Sequence, residues 1–271
     1  MSFINIKTCG GLGNLLFQIF NGISLSIKYN RQIYFENNYN LSKYKFFNNI
    51  NQNKIINNNI IKFEEKEFKY NFINLNENNN YIIHGYFQSY KYFYEYFNEI
   101  KKKLYIDFDL INKIKTEYCK FNKKTISIHL RLGDYLNLQN IYVILSFEYY
   151  KKILSNFNLD DYQIIIFTND KYNSKKILNN LNLNNFIYSD EIKIYSNQIK
   201  IDSDENDFYK LCLTDIHICA NSTFSLMACY INEIYNFIED SKYYIPKNWF
   251  EKEGPDNDIL DFKLNDKFII I

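Results

Sequence analysis

The sequence lacks several features that would assign a protein to a class at once. No apolar run approaches the roughly 20 residues of a membrane span. The 5 cysteines are scattered, without a CxxC pair, which argues against a zinc site or a disulfide framework. Basic residues (32) nearly equal acidic ones (31), so the charge supports neither a nucleic-acid partner nor an anionic membrane.

Glycine (7) and proline (2) are scarce, whereas Tyr (26), Phe (24), Asn, Ile and Lys are abundant. The codon bias of an AT-rich genome explains this composition, so we assign no base-stacking role to the aromatic residues. With 271 residues, 46% of them hydrophobic, the chain is long enough for one large domain or two smaller ones. The first residues run directly into a predicted strand without a signal peptide, so we expect a cytoplasmic protein.

Predicted strands and helices alternate, which indicates an α/β fold with parallel sheets and right-handed crossovers. The strands are predicted at 3–8, 33–35, 125–131, 163–168, 186–188, 217–220 and 235–238, with a further strand leading into an aromatic helix within 81–97. The helices are predicted at 14–29, about 110–120, 147–156, 172–181, 204–214 and 223–231. Residues 37–80 are Asn-rich and weakly periodic. A break near 115–124 divides the elements into two Rossmann-like halves.

The first polar motif is GGLGN, which follows the first strand. Gly11 and Gly13 let the backbone approach a ligand, and Asn14 begins the helix whose N–H groups favour an anion. A dinucleotide fingerprint is incomplete, because Leu16 stands where its third glycine belongs. A simple tight turn is the alternative explanation.

The stretch HLRLGDY ends a predicted strand with polar groups. His129 and Arg131 are two residues apart, so both side chains address one face of the strand, and Asp134 follows. The guanidinium of arginine offers a fork suited to phosphate. A surface salt bridge of Arg131 is the alternative.

Two more polar motifs follow strands. FTND places Asn169 and Asp170 where they can bond a base or a ribose, or else cap the next helix. ANSTFS offers Ser222 and Thr223 at a helix N-terminus, which favours an anion site beyond what capping alone requires.

Metal sites have weaker support. The acidic pairs Asp107-x-Asp109 and Asp202-x-Asp204 imitate the D-x-D motif that holds Mn²⁺ or Mg²⁺ on a diphosphate, but such pairs also commonly begin helices. The three histidines lack zinc spacing. We expect no metal.

Taken together, these motifs resemble the α-1,2-fucosyltransferases of glycosyltransferase family 11. The matching segments, in the family's order, are GGLGNLLFQ (10–18), HGYFQSYKYF (84–93), SIHLRLGDY (127–135), FTND (167–170), DFYKLCLTDIHICANSTFS (207–225) and PKNW (246–249). The resemblance implies a GT-B-like architecture, with two Rossmann-like domains facing across a cleft. The expected domains are 1–120 on the acceptor side, 121–245 for the nucleotide sugar, and a tail, 246–271, that packs back on the first.

The same resemblance implies a chemistry. The donor would be GDP-β-L-fucose, the acceptor the O2 hydroxyl of a galactose in a glycan, and the reaction would invert the anomeric carbon without a metal. Arg131 would stabilise the leaving diphosphate, His129 would position the donor or Arg131, and Asp134 would act as a base or hold the arginine. The expected donor-binding residues are Gly11, Gly13, Asn14, Asn169, Asp170, Asp207, Asn221, Ser222, Thr223, Phe224 and Ser225.

The sequence departs from the family pattern at four positions. Leu15 replaces a polar residue, Leu132 stands where a second arginine is usual, and Leu226 and Met227 replace two aromatic residues expected to shape a wall of the site. These departures bear on the sugar specificity. The alternatives are a transferase for another nucleotide sugar or acceptor, and a degenerate glycan-binding protein without activity.

Overall fold

The computed structural model describes residues 2–36, 39–52, 60–76, 78–194, 202–259 and 261–271. The chain divides into two compact units, both α/β. Unit 1 comprises Met1–Ile106 and Asp258–Asp261, and unit 2 comprises Asp107–Asn257 and Phe262–Ile271. In the described ranges, no helix has both the length and the apolar character needed to cross a membrane.

Unit 1 is built on a four-stranded sheet with the order β2-β1-β4-β3, in which every pair of neighbours is parallel. Its elements are β1 (Phe3–Lys7), α1 (Leu12–Lys28), β2 (Gln32–Phe35), α2 (Tyr39–Lys43), β3 (Ile60–Glu64), β4 (Asn80–His84) and α3 (Phe97–Lys103). Gly22 lets α1 lie close against the sheet, because a Cβ there would stand 2.8 Å from side-chain atoms of Ile6 and Ile33.

Unit 2 has a six-stranded, all-parallel sheet with the order β10-β9-β8-β5-β6-β7. Its elements are α4 (Phe108–Cys119), β5 (Lys124–Leu130), α5 (Phe147–Leu154), β6 (Tyr162–Thr168), α6 (Lys171–Asn180), β7 (Phe186–Tyr188), α7 (Ser203–Cys212), β8 (Ile216–Ile218), α8 (Thr223–Tyr235), β9 (Lys242–Ile245) and β10 (Phe268–Ile270). The central strand β5 is buried along nearly its whole length. The predicted α/β class with parallel sheets is confirmed.

Two predicted elements are wrong. The strand predicted at 235–238 does not form, because α8 continues to Tyr235 and ends at Asn236, which adopts a left-handed φ of 50°. The strand predicted at 217–220 is observed as β8, and the strand after it, β9, begins only at Lys242. The aromatic helix predicted within 81–97 is replaced by 3₁₀ turns at Tyr90–Tyr92 and Tyr94–Tyr96, and α3 begins only at Phe97.

The observed division also differs from the domain limits predicted at 120 and 245. Helix α4 belongs to unit 2, where the Tyr118 hydroxyl donates a hydrogen bond to the Lys210 carbonyl at 2.8 Å. The predicted tail 246–271 contributes Asp258–Asp261 to unit 1 and β10 to unit 2. Residues 53–59, within the Asn-rich stretch, lie outside the described ranges.

Candidate functional site

The strand order of unit 2 reverses beside β5. From β5 the chain proceeds to β6 and β7 on one side, and later to β8, β9 and β10 on the other. Ligands of open α/β sheets bind in the crevice at such a switch point, beyond the carboxyl ends of the strands. Residues 131–135 follow β5 and residues 219–222 follow β8, so these two segments flank the crevice.

Arg131 and Asp134 form an ion pair beside this crevice, with 2.8 Å between Nη2 and Oδ2. The other carboxylate oxygen of Asp134 accepts a hydrogen bond from the Asn169 amide at 3.1 Å. The Asn169 oxygen in turn accepts the backbone N–H of Leu132 at 3.0 Å. A Cβ at Gly133 would lie 2.6 Å from Asn169 Nδ2, so a glycine there permits this approach. Because both oxygens of Asp134 are engaged, the geometry favours a holding role over a general-base role.

The guanidinium of Arg131 is partly exposed and partly buried. Its side chain is 32% exposed, yet Nε is buried and has no hydrogen-bond partner within the described ranges. The guanidinium carbon lies 5.3 Å from the centre of the Tyr135 ring, which stacks on Tyr142 at 4.2 Å. The Tyr135 hydroxyl donates to the Asn221 carbonyl at 3.1 Å. Tyr135 therefore joins Arg131 to the loop that follows β8.

His129 is buried on the same strand. Burial disfavours the imidazolium and Arg131 repels it, so the pKa of His129 falls to about 3. Its ring centre lies 5.8 Å from that of Phe224, and its Nδ1 has no partner in the part of the chain that the structure describes. His129 is therefore neutral near pH 7 and adds no positive charge to that of Arg131.

The two buried histidines predict how stability depends on pH. Burial lowers the pKa of His217 to about 3, as it does that of His129, from an ordinary 6.5. Each histidine binds a proton more tightly in the unfolded chain than in the folded protein. The free energy of unfolding is therefore highest above about pH 6.5. Below that pH it falls by about 1.4 kcal/mol per pH unit for each histidine. We expect urea denaturation midpoints to decline from about pH 6.5 downward, and less steeply in His129→Gln. Equal slopes in the two proteins would contradict this assignment.

Asn221 organises the loop after β8. It is 1% exposed, and its amide donates to the carbonyls of Val143 at 2.8 Å and Trp249 at 2.9 Å. The Val143 N–H also donates to the Trp249 carbonyl, at 3.1 Å. Asn221 is thus a structural centre that holds three segments of unit 2 together, rather than a side chain presented to solvent.

Ser222 and Ser225 shape the start of α8. Ser222 is the N-cap, and its hydroxyl accepts the Phe224 N–H at 3.3 Å. Ser225 is fully buried and donates to the carbonyls of Ala220 and Ser222. Thr223, the first helical residue, is half-buried. Capping of α8 explains the role of the Ser222 side chain. The backbone N–H groups at the start of α8 form the positive end of the helix dipole and place partial positive charge at the crevice.

Asp170 and Asp207 are engaged elsewhere. Asp170 caps α6, accepting the Asn173 N–H at 3.0 Å, and these hydrogen bonds lower the pKa of Asp170. Asp207 accepts the Ser189 hydroxyl at 3.1 Å and lies 3.5 Å from the Lys210 ammonium. Burial raises the pKa of Asp207 and lowers that of Lys210. The capping alternative thus explains Asp170, and Asp207 belongs to a separate network.

The glycine loop lies at the corresponding position in unit 1, where the strand order reverses between β1 and β4. Gly10 has a φ of +86°, which favours glycine, and a Cβ there would lie 2.6 Å from Asn14 Nδ2. The Asn14 oxygen accepts a hydrogen bond from Gln88 at 3.1 Å, joining the loops after β1 and β4. Gly11 precedes α1 with open space around it, and Gly13 is buried within the helix.

Sequence reasoning missed Glu65, which follows β3. Its carboxylate accepts the N–H groups of Tyr86 at 2.7 Å and Phe87 at 3.0 Å, where Phe87 has a φ of 53°. A Cβ at Gly85 would collide with Glu65. Burial raises the pKa of Glu65. No local sequence pattern identifies Glu65, because it lies in the weakly periodic stretch 37–80. Gln88, by contrast, lies inside a matched motif, so the sequence could have identified it.

The four departures from the family pattern all lie in the interior. Leu15, Leu226 and Met227 are fully buried, and Leu132 is 4% exposed within the core of unit 2. The substitutions at 226 and 227 therefore alter core packing rather than a wall of the site. Leu132 likewise packs in the core, whereas the side chain of the neighbouring Arg131 is 32% exposed.

Each acidic D-x-D pair begins a helix. Asp107 accepts the Leu110 N–H at 3.0 Å and caps α4, and Asp202 accepts the Asp204 N–H at 2.9 Å and caps α7. Over the described ranges, no three His, Cys, Asp or Glu side chains converge as ligands of a metal ion would.

Comparisons with known proteins agree with this architecture. The family description "Glycosyl transferase family 11" matches residues 16–262. The match defines the class of protein as a glycosyltransferase, with the GT-B-like fold that the motifs predicted. The chain belongs to glycosyl transferase family 11, and the resemblance drawn from its motifs is confirmed.

Solved structures share the fold at low sequence identity. The chain is similar to the fucosyltransferase NodZ from Bradyrhizobium, with 12% identity, a TM-score of 0.53, and 84% of this chain and 92% of that one covered. It is also similar to NodZ α-1,6-fucosyltransferase soaked with GDP-fucose, with 12% identity, a TM-score of 0.51, and coverages of 84% and 91%. No curated protein matches the chain.

Proposed function

We propose that this protein is an inverting, metal-independent fucosyltransferase. It transfers fucose from GDP-β-L-fucose to a hydroxyl of a glycan, with O2 of a galactose as the proposed acceptor. Family membership supports glycosyl transfer, and a similar structure was soaked with GDP-fucose, which supports that donor. The observation that carries the proposal is Arg131, with its buried, unpartnered Nε beside the switch point of unit 2.

The proposed mechanism follows from the charge that develops as the donor bond breaks. The acceptor hydroxyl oxygen attacks the anomeric carbon and loses its proton to water, while the bond to the diphosphate breaks and the departing GDP takes the electron pair and gains negative charge. A fixed guanidinium and the N–H groups at the start of α8 stabilise such a charge without reorganising. Asp134 and Asn169 hold Arg131 in place, and neutral His129 does not compete with it for the phosphate. Since the transition state resembles an oxocarbenium ion, a strong general base is less necessary.

Release of GDP tests the donor and the absence of a metal together. Incubation with GDP-fucose and a β-galactoside should release GDP at the same rate with and without EDTA. GDP-mannose and UDP-sugars serve as donor controls. If EDTA abolished turnover and added Mn²⁺ restored it, the proposed metal independence would be wrong. If only a UDP-sugar supported turnover, the assignment of GDP-fucose as the donor would be wrong.

The acceptor linkage needs a separate measurement. The motif resemblance favours α-1,2 transfer to galactose, whereas a similar structure carries the description α-1,6-fucosyltransferase. NMR of the purified product identifies the fucosylated oxygen. A product substituted at O6 would overturn the galactose O2 assignment and leave the donor assignment intact.

A glycan-binding protein without activity is the second candidate. Leu132, in place of a usual second arginine, favours it. This alternative predicts glycan binding without GDP release, and the buried position of Leu132 weakens it, because that side chain lies in the core rather than beside the crevice.

A further inference from the structure

Unit 1 holds a cavity of about 140 Å³ whose lining includes none of the candidate transferase residues. Helix α1 contributes Asn21, Ser24, Leu25 and Lys28, which share one helical face because they are three or four residues apart. The remaining lining comes from the segment after β3 and from the turns after β4, and it is mostly aromatic: Tyr70, Phe72, Tyr92, Phe93 and Tyr96.

Asn21 is the polar group of this cavity that the protein leaves unpartnered. It is 1% exposed, and neither its amide nitrogen nor its amide oxygen has a hydrogen-bond partner among the described residues. A buried amide without partners costs free energy. Ser24, one turn later, is satisfied by the Phe20 carbonyl at 2.8 Å. Asn21 therefore offers the cavity one hydrogen-bond donor group and one acceptor, and a ligand that supplies both would satisfy it.

Aromatic rings surround this amide. Tyr70 and Tyr92 pack with their ring centres 4.8 Å apart, and Phe72 is 60% exposed at the rim. Phe93 closes part of the lining and packs edge-on against Phe17 at 5.8 Å. Apolar ring faces combined with a few fixed polar groups are typical of small-molecule sites.

The charged groups of the lining favour a neutral ligand. Lys91 pairs with Asp261 at 2.9 Å, and the Lys28 ammonium lies 3.8 Å from the centre of the Phe72 ring. Glu95 adds the opposite sign. A cavity of about 140 Å³ is close to the size of an engineered cavity of about 150 Å³ that takes a single benzene ring. A neutral six-membered ring with apolar C–H faces and hydroxyls at its edge matches both the size and the chemistry.

We propose that this cavity binds one pyranose ring of a glycan, with ring C–H groups against the aromatic side chains and two hydroxyls bonded to the Asn21 amide. The site is separate from the glycine loop, since Asn21 lies two helical turns beyond Asn14, about 10 Å along the axis. It holds glycan without acting on it, and it does not depend on the identity of the transferred sugar.

Saturation-transfer NMR with methyl β-D-galactopyranoside, methyl β-D-glucopyranoside and methyl N-acetyl-β-D-glucosaminide, without nucleotide, tests the proposal. We expect at least one glycoside to bind the natural protein and to lose this binding in Asn21→Leu. That variant should be at least as stable as the natural protein, because an apolar side chain of similar volume replaces an unsatisfied buried amide. Phe72→Ala should weaken binding about tenfold, and it changes an exposed residue, so it tests the site even if Asn21→Leu misfolds.

Phe108→Ala is the matched control, because Phe108 is 58% exposed and belongs to unit 2. Its binding should equal that of the natural protein. Unchanged binding in both Asn21→Leu and Phe72→Ala would show that the glycoside lies elsewhere, for example at the transferase site, and would overturn the proposal. Absence of binding by all three glycosides would overturn it as well.

Discussion

Replacing Arg131 by alanine should reduce turnover by about 10²–10³, the usual effect of removing a donor that stabilises a departing anion. Arg131→Lys should recover only part of this loss, because lysine keeps the charge but not the planar fork that binds two phosphate oxygens. The melting temperature should change little, since the ion pair with Asp134 is partly exposed to solvent and such pairs contribute about 0–1 kcal/mol. Steady-state GDP release together with thermal unfolding separates the two effects.

Lys120→Ala provides the control for this variant. Lys120 and Glu117 form an ion pair with the same i,i+3 spacing, at 2.6 Å, on an exposed part of unit 2. We expect its turnover to equal that of the natural protein. If Arg131→Ala retained turnover within about threefold of the natural rate, charge stabilisation by this residue would be ruled out.

Asn221→Ala should destabilise the protein by about 2–4 kcal/mol, because it removes two buried hydrogen bonds and leaves the Val143 carbonyl without its donor. The Trp249 carbonyl keeps the bond from the Val143 N–H, which limits the loss. We expect the melting temperature to fall by roughly 5–15 °C. Calorimetry or circular dichroism measures the change.

Asn156→Ala is a close comparison for this loss. The Asn156 amide also donates to two carbonyls, those of Lys152 at 3.1 Å and Ile153 at 3.0 Å, but Asn156 is exposed. Water replaces such bonds, so its stability should change by less than about 1 kcal/mol. Equal destabilisation in the two variants would mean that burial does not determine how much stability is lost in Asn221→Ala.

The sequence predicted the elements and motifs that depend on local pattern. Glycines after β1, Arg131 after β5 and the polar residues before α8 are local signals, and the sheet topology brings the last two to one switch point. The alternation of strands and helices was enough to predict parallel sheets.

What the sequence did not reveal depends on contacts between distant residues. Glu65 binds the backbone at Tyr86 and Phe87 from a stretch without periodicity. Asn221 resembled a ligand-binding residue, yet its amide is used inside the protein. Residues 235–238 resembled a short strand because three of the four are apolar, yet Tyr235 is the last residue of α8 and the other three follow the helix.

The chain passes from unit 1 to unit 2, back to unit 1 and again to unit 2, which limits how one unit can be exchanged between related proteins. Asp258–Asp261 belongs to unit 1, and the residues after it return to unit 2, where they add β10 to the sheet. A fragment that ends at Ile106 lacks Asp261, the partner of Lys91, and a fragment that ends at Asn257 leaves the edge of β9 unpaired. Each unit is therefore encoded by two separated stretches. A recombination event that transfers a complete unit must carry both of its stretches. A single crossover between them would separate two parts of the chain that the same unit needs in order to fold.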